Sequence, residues 1–133
     1  MANKKKQRAT KRPVKPGNRT RAGGLTYLRA YDMGALPIIN RILERMDLSD
    51  ILKQCLLDDD VRTELPTQRG LLVLVRNILM AREPVYGVGQ WAASYAPDLF
   101  DMWHYEVDLL NDDRVERCLD RLFDGLFRRS LAK

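Results

Sequence analysis

The stretch Leu110-Asn111-Asp112-Asp113-Arg114-Val115-Glu116-Arg117-Cys118-Leu119-Asp120-Arg121-Leu122-Phe123-Asp124-Gly125 has the form of a capped amphipathic helix. Asn111 is a strong N-cap residue, because its side-chain oxygen can accept a backbone N–H that the first turn leaves unpaired. Asp112 and Asp113 follow where negative charge meets the positive end of the helix dipole. At about 100° per residue, Val115, Cys118, Leu119, Leu122, Phe123 and Leu126 share one apolar stripe. Asp113, Glu116, Asp120 and Asp124 flank it. Arg114, Arg117, Arg121 and Arg128 form a narrow row on the outward side, expected to face solvent. Such a row can lie along a phosphate backbone or project into a groove. It can equally be a solvated face carrying i,i+4 pairs such as Asp113–Arg117 and Asp124–Arg128. Gly125 marks where fraying is expected, which leaves Arg114, Arg117 and Arg121 as the candidate contacts on this helix.

Upstream, the same period recurs in shorter pieces. From Pro37, suited to a first helical turn, Ile38, Ile39, Ile42, Leu43 and Met46 line a stripe that should end near Asp47. Ser49 is a credible cap for a second helix over residues 50–57, burying Ile51, Leu52, Cys55 and Leu56. Asp58-Asp59-Asp60 reads as a solvated turn, without the further spaced ligands that a metal site needs. Thr67 is the expected cap of a third helix over residues 68–82. Its apolar positions persist around most of its circumference, which marks it as the central element, and Pro84 should end it. Gly87 and Gly89 lack the strand and Gly-Lys-Ser/Thr context of a phosphate loop. A short helix over residues 88–95 would put Trp91 and Tyr95 on one face as core. A further turn from Pro97 carries Leu99, Phe100 and Met102, and residues 106–111 read as a loop. His104, the only histidine, has no second His or Cys at ligand spacing and reads as a packing or surface residue. Residues 25–35 are ambiguous between a short helix and an extended arm. The fold expected is all-α: a small irregular or orthogonal bundle of about five helices over residues 25–133, behind a basic N-terminal tail.

Charge divides the chain sharply. Residues 1–24 hold nine bases (Lys4, Lys5, Lys6, Arg8, Lys11, Arg12, Lys15, Arg19 and Arg21) and no acid. The other 109 residues hold 14 bases and 18 acids, a balance of −4. The leader is polar, carries Pro13, Pro16, Gly17, Gly23 and Gly24, and should be disordered until bound. A cationic arm on a mildly acidic body points to a polyanionic partner. Cys55 and Cys118 fall among apolar residues at helical spacing, with no Cys-x-x-Cys, which predicts reduced cysteines in a cytoplasmic protein. The longest apolar run, Leu71–Val75, is far short of the ~20 residues of a membrane span. Nothing in the pattern suggests a cofactor, a metal, a small-molecule substrate or a nucleophile–base pair.

Three segments in order resemble a known family. They are Met33-Gly34-Ala35-Leu36-Pro37-Ile38-Ile39-Asn40-Arg41-Ile42-Leu43-Glu44-Arg45, then Asn77-Ile78-Leu79 with Pro84-Val85-Tyr86 and Trp91, then the Asn111-Asp112-Asp113-Arg114 helix. The pattern resembles the small N-terminal domain, of unassigned function, that precedes the catalytic core of certain bacterial insertion-sequence transposases. That resemblance covers roughly Gly34 to Gly125. It implies a mobile-element protein whose DNA cutting and joining belongs to a separate ribonuclease-H-like core with three metal-binding carboxylates. None of those acids maps onto this chain, so a non-enzymatic end-piece is expected. Its partner would be DNA, possible transposon ends included, through the nine leader bases and Arg114, Arg117 and Arg121. The alternative is a protein-interaction or homo-oligomerisation module without direct DNA contact.

Overall fold

A computed structural model describes residues 30–133. Six α-helices appear in this span: α1 (Leu36–Arg45), α2 (Leu48–Cys55), α3 (Thr67–Met80), α4 (Val88–Ala93), α5 (His104–Asp108) and α6 (Asp112–Leu131). Two 3-10 turns, Val85–Gly87 and Pro97–Phe100, link the shorter pieces. The described residues contain no strand; a lone bridge joins Asp32 to Tyr95. The architecture is thus the expected all-α irregular bundle, with one helix more than the sequence suggests. That extra helix is α5, whose last three residues fall in the predicted loop. It forms because the Glu106 carboxylate accepts the Trp103 N–H at 2.7 Å, closing a first turn that periodicity is too short to reveal.

Helix α3 is central, packing on α6, α4, α1 and α2. Its ends differ from the expectation. Thr67 is not the cap but the first helical residue, and it is buried. The acceptor comes from eight residues upstream: the Asp59 carboxylate takes the Thr67 N–H at 3.1 Å and the Thr67 hydroxyl at 2.5 Å. At the other end Arg82 adopts a left-handed conformation (φ 55°), and its N–H bonds the Asn77 carbonyl at 2.8 Å. This closing turn stops the helix before Pro84 is reached.

Helices α1 and α2 also rotate away from their predicted faces. Leu36 and Leu43 are buried, whereas Ile38, Ile42 and Met46 are exposed. The rotation follows from Asn40, which turns inward to donate to the Leu99 carbonyl at 2.7 Å and to accept from Arg76 Nε at 2.7 Å. Asp47, with φ 50°, reverses the chain so tightly that α2 starts at Leu48 and Ser49 lies inside it rather than capping it. The Ser49 carbonyl and hydroxyl instead both accept from Gln68 Nε2 on α3. Ile51 stays exposed while Leu52 is buried.

Helix α6 does not fray at Gly125 but runs on to Leu131. Asn111 caps it as expected, accepting the Arg114 N–H at 2.8 Å. Its buried residues are Val115, Cys118 and Gly125, with Leu122 half-buried. Leu119, Phe123 and Leu126, three members of the predicted stripe, face outward. Gly125 explains the rotation: a Cβ there would stand 2.1 Å from the Cys55 carbonyl oxygen, so only glycine permits the end of α2 to lie against α6. Trp91, Tyr95 and Phe100 cluster with ring centroids 5.4–6.1 Å apart and pack into the main core with Leu36, Val73, Val88 and Val115.

Gly125→Ala should therefore destabilise the domain. The gain of ~1 kcal/mol in helix propensity is outweighed by an overpacking cost of about 3 kcal/mol or more. Thermal unfolding followed by circular dichroism should show a midpoint lower by roughly 10 °C.

Candidate functional site

The segment from Cys55 to Glu64 runs antiparallel along α6. Cys55 meets Gly125, Asp59 meets Arg121 at 2.9 Å and Glu64 meets Arg114 at 2.7 Å. Between this strap and the helix lies a cleft of about 370 Å³ lined by Asp60, Arg62, Thr63, Glu64, Leu65, Thr67, Arg114, Arg117, Cys118 and Arg121. The arginine row of α6 forms one wall, so the structure does bring Arg114, Arg117 and Arg121 together.

It does not leave them equivalent. Arg114 and Arg121 are only 31% and 38% exposed and are paired with Glu64 and Asp59. They fold onto the strap instead of facing solvent as expected. The cause lies in the acids of residues 59–64, whose position beside α6 periodicity alone does not reveal. Arg117 is 72% exposed and makes the anticipated i,i+4 pair with Asp113 at 2.8 Å. Asp59 likewise departs from the solvated-turn reading, since one carboxylate caps α3 and holds Arg121. Lys4, Lys5, Lys6, Arg8, Lys11, Arg12, Lys15, Arg19 and Arg21 lie outside the described residues.

Cys118 closes the floor of the cleft. Burial, with the Asp59 carboxylate nearby, pushes its thiol up to about 11 against the restraining pull of Arg121 and Arg114. A Cβ on Gly70 would sit 2.7 Å from its sulfur, so this thiol is a packing element where α3 crosses α6. His104 is exposed at the start of α5, its ring 6.2 Å from that of Tyr31. Among the described residues no three His, Cys, Asp or Glu side chains converge as a metal-binding group. Nor is any helix among them long and apolar enough to cross a membrane.

A second polar centre escaped the sequence reading. Arg76 and Asn77, directly after the apolar run of α3, are only 4% and 1% exposed. The Arg76 guanidinium donates to Asn40, lies 3.6 Å from Asp101 and stands 5.9 Å from the centre of the Phe100 ring. Burial lowers its pKa, opposed by Asp101 and, more weakly, Glu44; arginine nonetheless stays charged. The guanidinium borders a cleft of about 270 Å³ whose rim carries Glu44, Asp47, Asp50 and Asp101. A charged residue breaking the Leu71–Val75 run was the available signal, but periodicity cannot say which side of a central helix a partner occupies.

The three arginines of the row should separate in mutagenesis. Arg117→Ala is expected to change stability by less than ~0.5 kcal/mol, Arg121→Ala to cost ~0.5–1 kcal/mol, and Asp59→Ala about 1–2 kcal/mol because α3 loses its acceptor. Urea midpoints measure all three. The Cys118 thiol, held up to about 11 against an ordinary 9.0, favours the folded state while protonated. That contribution is fully present below pH 9 and is lost as pH rises from about 9 to about 11. Stability should fall through this window in the native chain and fall less in Cys118→Ala.

No curated protein and no solved structure matches the chain. A family match spans residues 28–129, most of the chain, and is described as a domain of unknown function, DUF4277. The span takes in α1 to α5 and the length of α6 that the strap covers, and the chain belongs to the DUF4277 family.

Proposed function

We propose that this protein is a non-catalytic DNA-binding domain of the kind that precedes the catalytic core of insertion-sequence transposases. The observation that carries this reading is the separation of charge. Nine bases without one acid occupy residues 1–24, ahead of a body whose bases are outnumbered by acids. A polyanion is attracted to such a leader and repelled by most of the body, so contact concentrates in the leader. Lys4, Lys5, Lys6, Arg8, Lys11, Arg12, Lys15, Arg19 and Arg21 supply sequence-independent phosphate contacts in this reading. Arg117, the most exposed of Arg114, Arg117 and Arg121, is the additional contact on the body. Arg114 and Arg121 contribute chiefly by holding the strap, since a phosphate would have to displace Glu64 and Asp59. The protein then works in the cytoplasm, on the nucleoid when DNA-bound.

A second reading, a protein-interaction module, draws on a different observation. Leu119, Phe123, Leu126, Phe127 and Leu131 remain exposed along α6. The two readings are compatible, because leader and α6 face involve different residues.

Affinity for duplex DNA measured against salt tests the first reading. Engagement of about five leader charges predicts a log–log slope of roughly −4 to −5. Removing residues 1–24 should bring that slope to about −1, the share left to Arg117, and Arg117→Ala in the full chain should reduce it by about one. A slope unchanged by truncation, or a stronger preference for RNA in competition, would overturn the assignment.

A further inference from the structure

We infer that an acidic groove beside α1 and α2 holds the basic leader of the same chain when DNA is absent. Two clefts make up the groove. The first, of about 270 Å³, is rimmed by Glu44, Asp47 and Asp50 and bordered by the buried Arg76 guanidinium. The second, of about 410 Å³, is lined by Asp98, Arg69 and Trp103. They meet at Asp101, which lines both. Five carboxylates thus share the groove with two guanidiniums, and one of these, Arg69, is already held by Glu106 at 2.6 Å. All five carboxylates are exposed. Asp47 and Asp98 have no ion-pair partner among the described residues. Glu44 and Asp50 make only exposed pairs, with Arg41 at 3.4 Å and Lys53 at 4.0 Å, which contribute little.

Positive charge alone does not describe the occupant. Arg76 is 4% exposed, and its Nη1 is buried with no hydrogen-bond partner among the described residues. A buried donor left unpaired costs free energy, so an occupant that brings an acceptor is favoured. A metal ion or a polyamine brings none and meets the Arg76 charge directly. Nucleic acid brings acceptors but is repelled by the rim. A basic peptide brings both, because every cationic side chain comes with a backbone carbonyl. Trp103, 68% exposed, offers its ring face to a further cation. Residues 1–24 are such a peptide, with nine bases and no acid. They also start close by. Asp32 donates to the Ser94 carbonyl at 2.9 Å and bridges Tyr95, and Asp98 and Asp101 lie in and just after the turn that follows. Arg21 and Arg19 precede Ala30 by nine and eleven residues, a reach of up to about 30–40 Å. The cleft beside α6 is the poorer host, because Arg62, Arg114, Arg117 and Arg121 line it. The contact stands on the groove and the leader's charge. Its consequence rests on the DNA-binding reading: the same bases cannot serve the groove and phosphates together, so the groove lowers DNA affinity until DNA draws the leader away.

Carbodiimide cross-linking of the full chain carrying Arg19→Lys and Arg21→Lys reads the contact without DNA. The reagent joins lysines to touching carboxylates, and the leader has no acid of its own. Leader lysines should couple to Glu44, Asp47, Asp98 and Asp101 about tenfold more often than to Glu116, Asp120 and Asp124 of α6, and duplex DNA should remove those links. Equal coupling to both sets overturns the groove assignment, whatever the DNA measurements give. Links formed only between isotopically distinct copies in a mixed sample overturn the same-chain contact. Asp47→Asn with Asp98→Asn should raise affinity for duplex DNA about tenfold, whereas Glu116→Gln with Asp120→Asn, the same change in net charge, should raise it less than about twofold. Asparagine suits the left-handed backbone at Asp47, so the fold is kept. Equal gains in the two variants, or links that persist under saturating DNA, overturn the competition. Groove links in a chain that ignores DNA would sink the DNA-binding reading and leave the contact standing.

Discussion

One line of contact organises the domain: Cys55 on Gly125, Asp59 on Arg121, Glu64 on Arg114. It lays an irregular segment along the longest helix and thereby fixes where α3 begins. Asp59 is the joint. Its carboxylate satisfies the start of α3 and a cation on α6 together, so the two packed helices are also registered at one end. A helix N-terminus has unpaired N–H groups and a positive dipole end, and an acid already held by an arginine is well placed to meet both. Gly125 makes the line possible by letting backbone approach backbone where any side chain would hold the strap away.

A second constraint lies on the opposite side of α3. Arg76 is buried, and a buried charge needs partners. Asn40 and Asp101 meet that need at Nε and Nη2, from α1 and from the turn after Phe100, whereas the buried Nη1 has no hydrogen-bond partner among the described residues. The consequence reaches far: by turning inward, Asn40 sets the rotation of α1, buries Leu36 and Leu43, and sends Ile38 and Ile42 to the surface. A polar contact thus decides which half of an apolar helix counts as core.

Helix α6 serves three neighbours. One side packs through Val115, Cys118 and Gly125, a second holds the strap with Arg114 and Arg121, and the third presents exposed phenylalanines beside acids that have no ion-pair partner among the described residues. Its positive charge is largely committed to the protein's own carboxylates. This is why the proposed contact with DNA rests on the leader, and why the apolar outer face is the part of α6 free to meet another chain.

Much was legible without coordinates, and for identifiable reasons. Repeating apolar intervals marked α1, α3 and α6, Asn111 marked the start of α6, and the Trp91–Tyr95 spacing marked an aromatic cluster, because each depends on residues within a turn or two of one another. The charge contrast between leader and body is likewise a property of sequence alone. Tertiary structure decided the rest. Six apolar residues on α6 span too wide an arc for one neighbour to cover, and only the close approach at Gly125 settles that Cys118 and Leu122 turn in while Leu119 and Phe123 turn out. The partners of Arg114, Arg121 and Arg76 lie 50, 62 and 36 residues away. Hydrophobic period records how a helix is sided, whereas the fate of a charge depends on what the folded chain brings within about 4 Å of it, and no local pattern carries that information.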